Sequence, residues 1–139
     1  CPLVAFTQHP GRIYRTPQFM HWKYDLNPDT KFRWLTVWDK DHALGYFVYT
    51  LTKGRIHTAG NVYDWDFDPH ASEAFNQCIH VLDRLGNWVS IWGYHGTENN
   101  LLHASPMRKI PGNTRLMLKA MSKKGYPEDL LLTRCDTDF

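Results

Sequence analysis

Asp64, Asp66, Asp68 and His70 alternate along one short stretch, which brings together four side chains able to ligate a divalent cation or exchange a proton. The spacing does not make a calcium loop. Pro69 stands where the tight turn of such a loop needs glycine, and Phe75 stands where it needs a bidentate Glu. A looser cation site and a polar strand face running into a helix start both fit the pattern. The eight His include no HxxxH or HExxH pair, and the three Cys, at positions 1, 78 and 135, include no CxxC pair. No bound metal is expected. Neither a GxSxG nucleophile elbow nor a P-loop occurs.

Two further groups could recognise a ligand. Trp65, Phe67, Trp92 and Tyr94, with His70 and His95 at the rim, suit a concave aromatic site if the strands carrying them diverge, and an ordinary core if they do not. Between His103 and Tyr126 the chain carries Arg108, Lys109, Arg115, Lys119, Lys123 and Lys124 and no acidic residue. Such a run can meet the phosphates of a nucleotide-bearing cofactor or of nucleic acid, or can form a solvated strand face.

The elements that position these groups are read from periodicity. His42 to Thr52 is β-branched and aromatic, and Tyr46, Phe47, Val48 and Tyr49 make it apolar on both faces, as an interior strand requires. Lys53-Gly54 turns it into a strand over Arg55 to Phe67, in which Tyr63, Trp65 and Phe67 are expected on one face and Val62, Asp64 and Asp66 on the other. Asp68-Pro69 is a helix start, with Asp68 as cap and Pro69 at the first helical position. The helix is predicted to run to Leu85, burying a stripe of Ala71, Ala74, Phe75, Cys78, Leu82 and Leu85, with Gly86 as a left-handed cap. Trp88 to Tyr94 is the next strand, parallel to the preceding one because the crossover is long.

Upstream, Thr16-Pro17 starts a short helix to Tyr24, and Phe32 to Trp38 is a strand that Asp39-Lys40-Asp41 turns into the central hairpin. Downstream, a short helix near Glu98 to Ala104 precedes strands over Thr114 to Ser122 and Leu130 to Arg134.

A chain of 139 residues that is 42% apolar and 14% aromatic has material for one domain with a bulky core. The formal net charge of +2 gives no global field that would demand nucleic acid or an anionic membrane. No signal peptide or membrane span is legible, and the cysteine pattern suits a reduced, cytoplasmic setting. Opening on Cys rather than Met, the chain is expected to be processed or part of something longer.

In order, helix, strand, hairpin, helix, strand, short helix and two strands resembles the GNAT (GCN5-related N-acetyltransferase-like) acyltransferase fold without its first strand and helix. The strings HWKYDLNP (His21 to Pro28), ALGYFVY (Ala43 to Tyr49), VYDWDF (Val62 to Phe67) and LLLTRCDTDF (Leu130 to Phe139) are similar to the C-terminal part of bacterial GNAT-type proteins. The resemblance implies an α+β fold with a mixed, twisted sheet of about six strands, the central helix on one face, and two short helices. It makes residues 1–139 a single GNAT-like domain, a fragment or C-terminal part of a longer protein.

It further implies transfer of an acyl group from acetyl-CoA or another acyl-CoA to an amine. The pantetheine arm would lie in the splay beside Phe67 and Trp92, and the pyrophosphate would lie at His70, Ala71 and Ser72 on the helix N-terminus. The family's glycine-rich turn is replaced here by Asp68-Pro69-His70-Ala71-Ser72, so acyl-CoA is expected to bind weakly. The family's proton-donating Tyr is missing from Leu101 to Met107, which leaves His103, Tyr94 and Tyr126 as the catalytic candidates. The alternative is a GNAT-like module without activity that binds a partner or the rest of a longer chain. No membrane partner is expected on either reading, nor is nucleic acid.

Overall fold

The computed structural model describes residues 15–86, 88–91, 93–95 and 131–133, together with Leu101, Ser105 and Met107. They form an α+β fold built on a four-stranded mixed open sheet with two helices. Helix α1 (Pro17–Met20) starts where the Thr16 hydroxyl accepts from the Phe19 amide, and it continues into a π-helical turn over His21–Asp25. Strands β1 (Arg33–Asp39), β2 (His42–Lys53) and β3 (Thr58–Phe67) follow as antiparallel neighbours. Helix α2 (Ser72–Leu85) then crosses over to β4 (Trp88–Ile91), which is parallel to β3. The sheet order is β1-β2-β3-β4, and a second sheet pairs β5 (Gly93–His95) with β6 (Leu131–Thr133).

The two central strands, β2 and β3, are buried on both faces. Phe47 and Tyr49 of β2 point toward α2 and pack with Trp65, Phe67, Phe75, Cys78 and Leu82, while Tyr46 and Val48 point toward α1 and pack with Met20 and Tyr24. This division explains why the centre of β2 is apolar without alternation. The helix stripe buries Ala74, Phe75, Cys78, Ile79 and Leu82, and Leu85 stands half out of it.

Two bulges change what plain alternation predicts. Val48 pairs with Asp64 and Tyr49 with Val62, so Tyr63 is an extra residue on β3. Val62 therefore joins Trp65 and Phe67 on the α2 face, and Tyr63 goes to the α1 face, opposite to the period-two expectation. On β2, Val37 pairs with Gly45 and Trp38 with Ala43, which leaves Leu44 as the bulged residue.

The segment expected as one strand over Trp88 to Tyr94 is two strands in different sheets. The parallel pairing of β3 with β4 ends at Val62 and Ile91, at the bulge, and β5 is bonded to β6 instead. The capping expectation for Gly86 is also corrected. Its backbone is extended, with φ −140° and ψ 146°, and glycine is needed because a Cβ would lie 2.7 Å from the Thr58 carbonyl oxygen. The strand expected over Thr114 to Ser122 lies outside the described residues.

Candidate functional site

The turn between β3 and α2 is built differently from a simple capped helix start. The Asp68 amide donates to the Leu44 carbonyl at 2.9 Å, which ties the turn to the β2 bulge. The Asp68 carboxylate accepts from the His70 amide at 2.8 Å, and its carbonyl accepts from the Ala71 amide at 2.9 Å. Asp68 is thus spent on a tight Asx turn over Pro69 and His70, and Pro69 is not helical. Helix α2 begins at Ser72 with Ala71 in the cap position and no side chain capping it. The amides of Ser72, Glu73 and Ala74 consequently have no partner within the helix, and they carry the positive end of its dipole.

These amides border an open cleft of about 610 Å³ between α2, the end of β1 and the start of β2. Val37, Leu44 and Ala74 supply apolar surface, Trp38 supplies an aromatic wall, and His70, Ala71 and Ser72 line the side nearest the turn. Asp39, Asp68 and Glu73 line it too, against His70 as the one basic side chain among the described residues, so that part of the lining is acidic. That acidity counteracts the helix dipole toward an anion. Trp38 and Asp39 are drawn in from β1 because the Leu44 bulge re-aims the strand end, and no local signal in the sequence marks them.

The aromatic candidates are placed elsewhere. Phe67 and Trp65 are buried in the core under α2, each with its ring against Phe75. Phe67 is separated from the cleft by its own packing. Tyr94 lies in β5 opposite Leu132. Trp92, His103 and Tyr126 lie outside the described residues. Beyond Val62, β3 runs on to Phe67 with no β4 partner among the described residues.

The alternating acids do not converge. Asp64 and Asp66 are buried on the α1 face of β3, while Asp68 and His70 belong to the turn beyond it. Asp64 accepts two hydrogen bonds from Arg15, at 3.1 and 3.2 Å, and one from the Tyr46 hydroxyl at 3.2 Å. Among the described residues no group of three or more His, Cys, Asp or Glu is disposed to hold a metal ion. Cys78 is inert in this setting, because burial pushes its thiol up to about 12.

Compared with protein-family models, curated proteins and solved structures, the chain matches none of them.

Proposed function

We propose that this chain is a GNAT-like domain of the acyl-CoA-dependent N-acyltransferase class. The observation that carries the reading is the order of the elements, three antiparallel strands followed by helix α2 and a fourth strand parallel to β3. Among the described residues β3 and β4 are paired as far as Val62 and Ile91, and β3 then leads through a tight turn into uncapped helix amides. A strand pair that opened beyond Ile91 would hold an extended arm, and the uncapped amides of α2 would meet a pyrophosphate. On this reading Trp92 flanks the arm and the backbone of Phe67, whose ring is buried under α2, borders it, while His70, Ala71 and Ser72 meet the phosphates. In the reaction the acceptor nitrogen attacks the thioester carbonyl, the C–N bond forms as the C–S bond breaks, and the departing thiolate takes a proton. His103, Tyr94 and Tyr126 are the candidate donors.

The second reading, a GNAT-like binding or structural module without activity, is favoured by Asp68 and Glu73, whose carboxylates flank the same amides. Calorimetric titration with acetyl-CoA, in wild type and Asp68→Asn, separates the two. The acyltransferase reading expects weak binding that Asp68→Asn strengthens by about fivefold, the effect of relieving roughly 1 kcal/mol of repulsion at a helix N-terminus. Absence of binding in both proteins, with no thiol released from acetyl-CoA in the presence of amines, leaves the second reading standing.

A further inference from the structure

Every residue from Thr52 to His57, at the end of the β2–β3 hairpin, is exposed, and Ile56 is exposed to 89%. The turn is closed by the Gly54 amide donating to the His57 carbonyl at 2.8 Å. Trp88, exposed to 53%, opens β4 beside it, with its ring 6.2 Å from that of His57. The close approach of Gly86 to Thr58 brings the last turn of α2, with Arg84 and Leu85, to the same end of the sheet. Lys53, Arg55 and Arg84 are exposed there, and among the described residues none of them makes an ion pair, not even with Asp83 of that turn.

We propose that this end of the molecule docks on an anionic phospholipid surface, with Ile56 and Trp88 entering the headgroup region and Lys53, Arg55 and Arg84 meeting lipid phosphates. Uncompensated cations around an exposed aliphatic tip and a half-exposed indole are the composition of an interfacial anchor. A protein partner would need roughly 800 Å² of matching surface, which a single projecting turn does not offer, whereas a bilayer accommodates a projection of any shape. Single-stranded nucleic acid would stack on Trp88 but would leave Ile56, exposed to 89%, without a role.

The net charge of +2 conceals this patch because it sums over the whole chain, whereas here three cations face the single carboxylate of Asp83 among the described residues, so the expectation of no membrane partner does not reach it. Contact would be at the surface, as no helix among the described residues is long and apolar enough to cross a membrane. The inference is independent of the acyltransferase reading.

The test is co-sedimentation of the full chain with vesicles of phosphatidylcholine containing roughly one-third phosphatidylserine, and with phosphatidylcholine alone. Each cation near an anionic surface raises partitioning by about fivefold, so three should favour the anionic vesicles by about a hundredfold at low salt. Arg55→Glu and, on a separate element, Arg84→Glu should each lower it by about tenfold or more, and Ile56→Ser should remove the part that survives about 0.15 M salt. Each replaced side chain is exposed, and a thermal melt confirms that each variant is folded. No preference for the anionic vesicles would overturn the proposal. So would sedimentation that all three variants leave unchanged, which would locate binding elsewhere on the chain. Binding of a single-stranded oligonucleotide, lost in Arg55→Glu and without vesicle binding, would overturn it in favour of nucleic acid.

Discussion

Arg15 grips Asp64 through two parallel hydrogen bonds, Nε to Oδ2 at 3.1 Å and Nη2 to Oδ1 at 3.2 Å, with the side chains 8% and 0% exposed. The pair joins the segment before α1 to the middle of β3, and the guanidinium also lies 5.9 Å from the centre of the Phe19 ring. A fork-to-fork pair out of water fixes geometry, yet its net stabilisation is small because both ions are desolvated. Removing one partner is another matter. Arg15→Met should cost roughly 3 to 5 kcal/mol in denaturant unfolding, since it removes the counter-charge of a fully buried carboxylate. Replacing Asp64 by Asn in that background should recover part of the loss. A single-variant cost below about 1 kcal/mol would show that Asp64 is satisfied by its other donors.

Gly45 faces Phe67 across the β2–β3 ladder, and a Cβ on Gly45 would lie 2.1 Å from Cδ1 of the Phe67 ring. The ring cannot swing aside, because it sits edge-on against Phe47 and Phe75, with centroids 5.2 Å apart in each case. Gly45→Ala is therefore expected to destabilise by about 1 to 3 kcal/mol through overpacking. Combining it with Phe67→Leu should cost less than the sum of the two single changes, because the clash disappears with the ring. Strict additivity in chemical melts would mean that the strand, not the ring, yields.

What the sequence makes legible follows from which features are local. The centre of β2 is read from Tyr46 to Tyr49 because a run apolar on both faces has few other uses, and α2 is read from Phe75, Cys78 and Leu82 because the stripe repeats over several turns. Tyr63 defeats the alternation reading, since a bulge changes the facing of every residue on one side of it without leaving a composition signal. Asp68-Pro69 does mark the end of β3, but its carboxylate closes a turn on His70, and the helix waits until Ser72. The cleft is half legible for the same reason. His70, Ala71 and Ser72 are neighbours of that turn, whereas Trp38 and Asp39 arrive from a strand some thirty residues earlier. Their arrival depends on the Leu44 bulge.

Cys78 lies on the buried face of α2, and with its thiol pushed up to about 12 it presents almost no thiolate at neutral pH. Alkylation of Cys78 in the native protein, followed by mass spectrometry of the Cys78 peptide, should proceed only as fast as the domain opens. It should accelerate sharply at the denaturation midpoint. Native-state labelling at the rate of a free thiol would show that α2 does not cover it. The shift also has a pH consequence. The unfolded thiol ionises near its usual 9.0 while the folded one stays protonated, so stability is intact below 9 and falls as pH rises from there toward 12. Cys78→Ala should remove that contribution to the alkaline slope, although it opens a cavity with a cost of its own.

Asp25, at the end of the π-helical turn, links that turn to the first strand. One oxygen meets His21 Nδ1 at 2.9 Å, and the other accepts from the Trp34 indole N–H at 3.0 Å. Burial pushes the Asp25 carboxyl up, but the hydrogen bonds with His21 and Trp34, together with attraction from nearby positive charge, outweigh it and hold the group below its ordinary 3.8. A depressed carboxyl stabilises the fold at pH values above the unfolded group's own pKa, and the stabilisation is lost as pH falls from there through the lower folded value. The acid limb of the stability curve should therefore be shallower in Asp25→Asn than in wild type, with the difference confined to pH below about 5. Both proteins should show the same slope at neutral pH. Superimposable acid limbs, measured by urea unfolding at stepped pH, would mean that the contact with Trp34 survives protonation and that the turn is held by packing of Tyr24 against Phe32 and Trp34 alone.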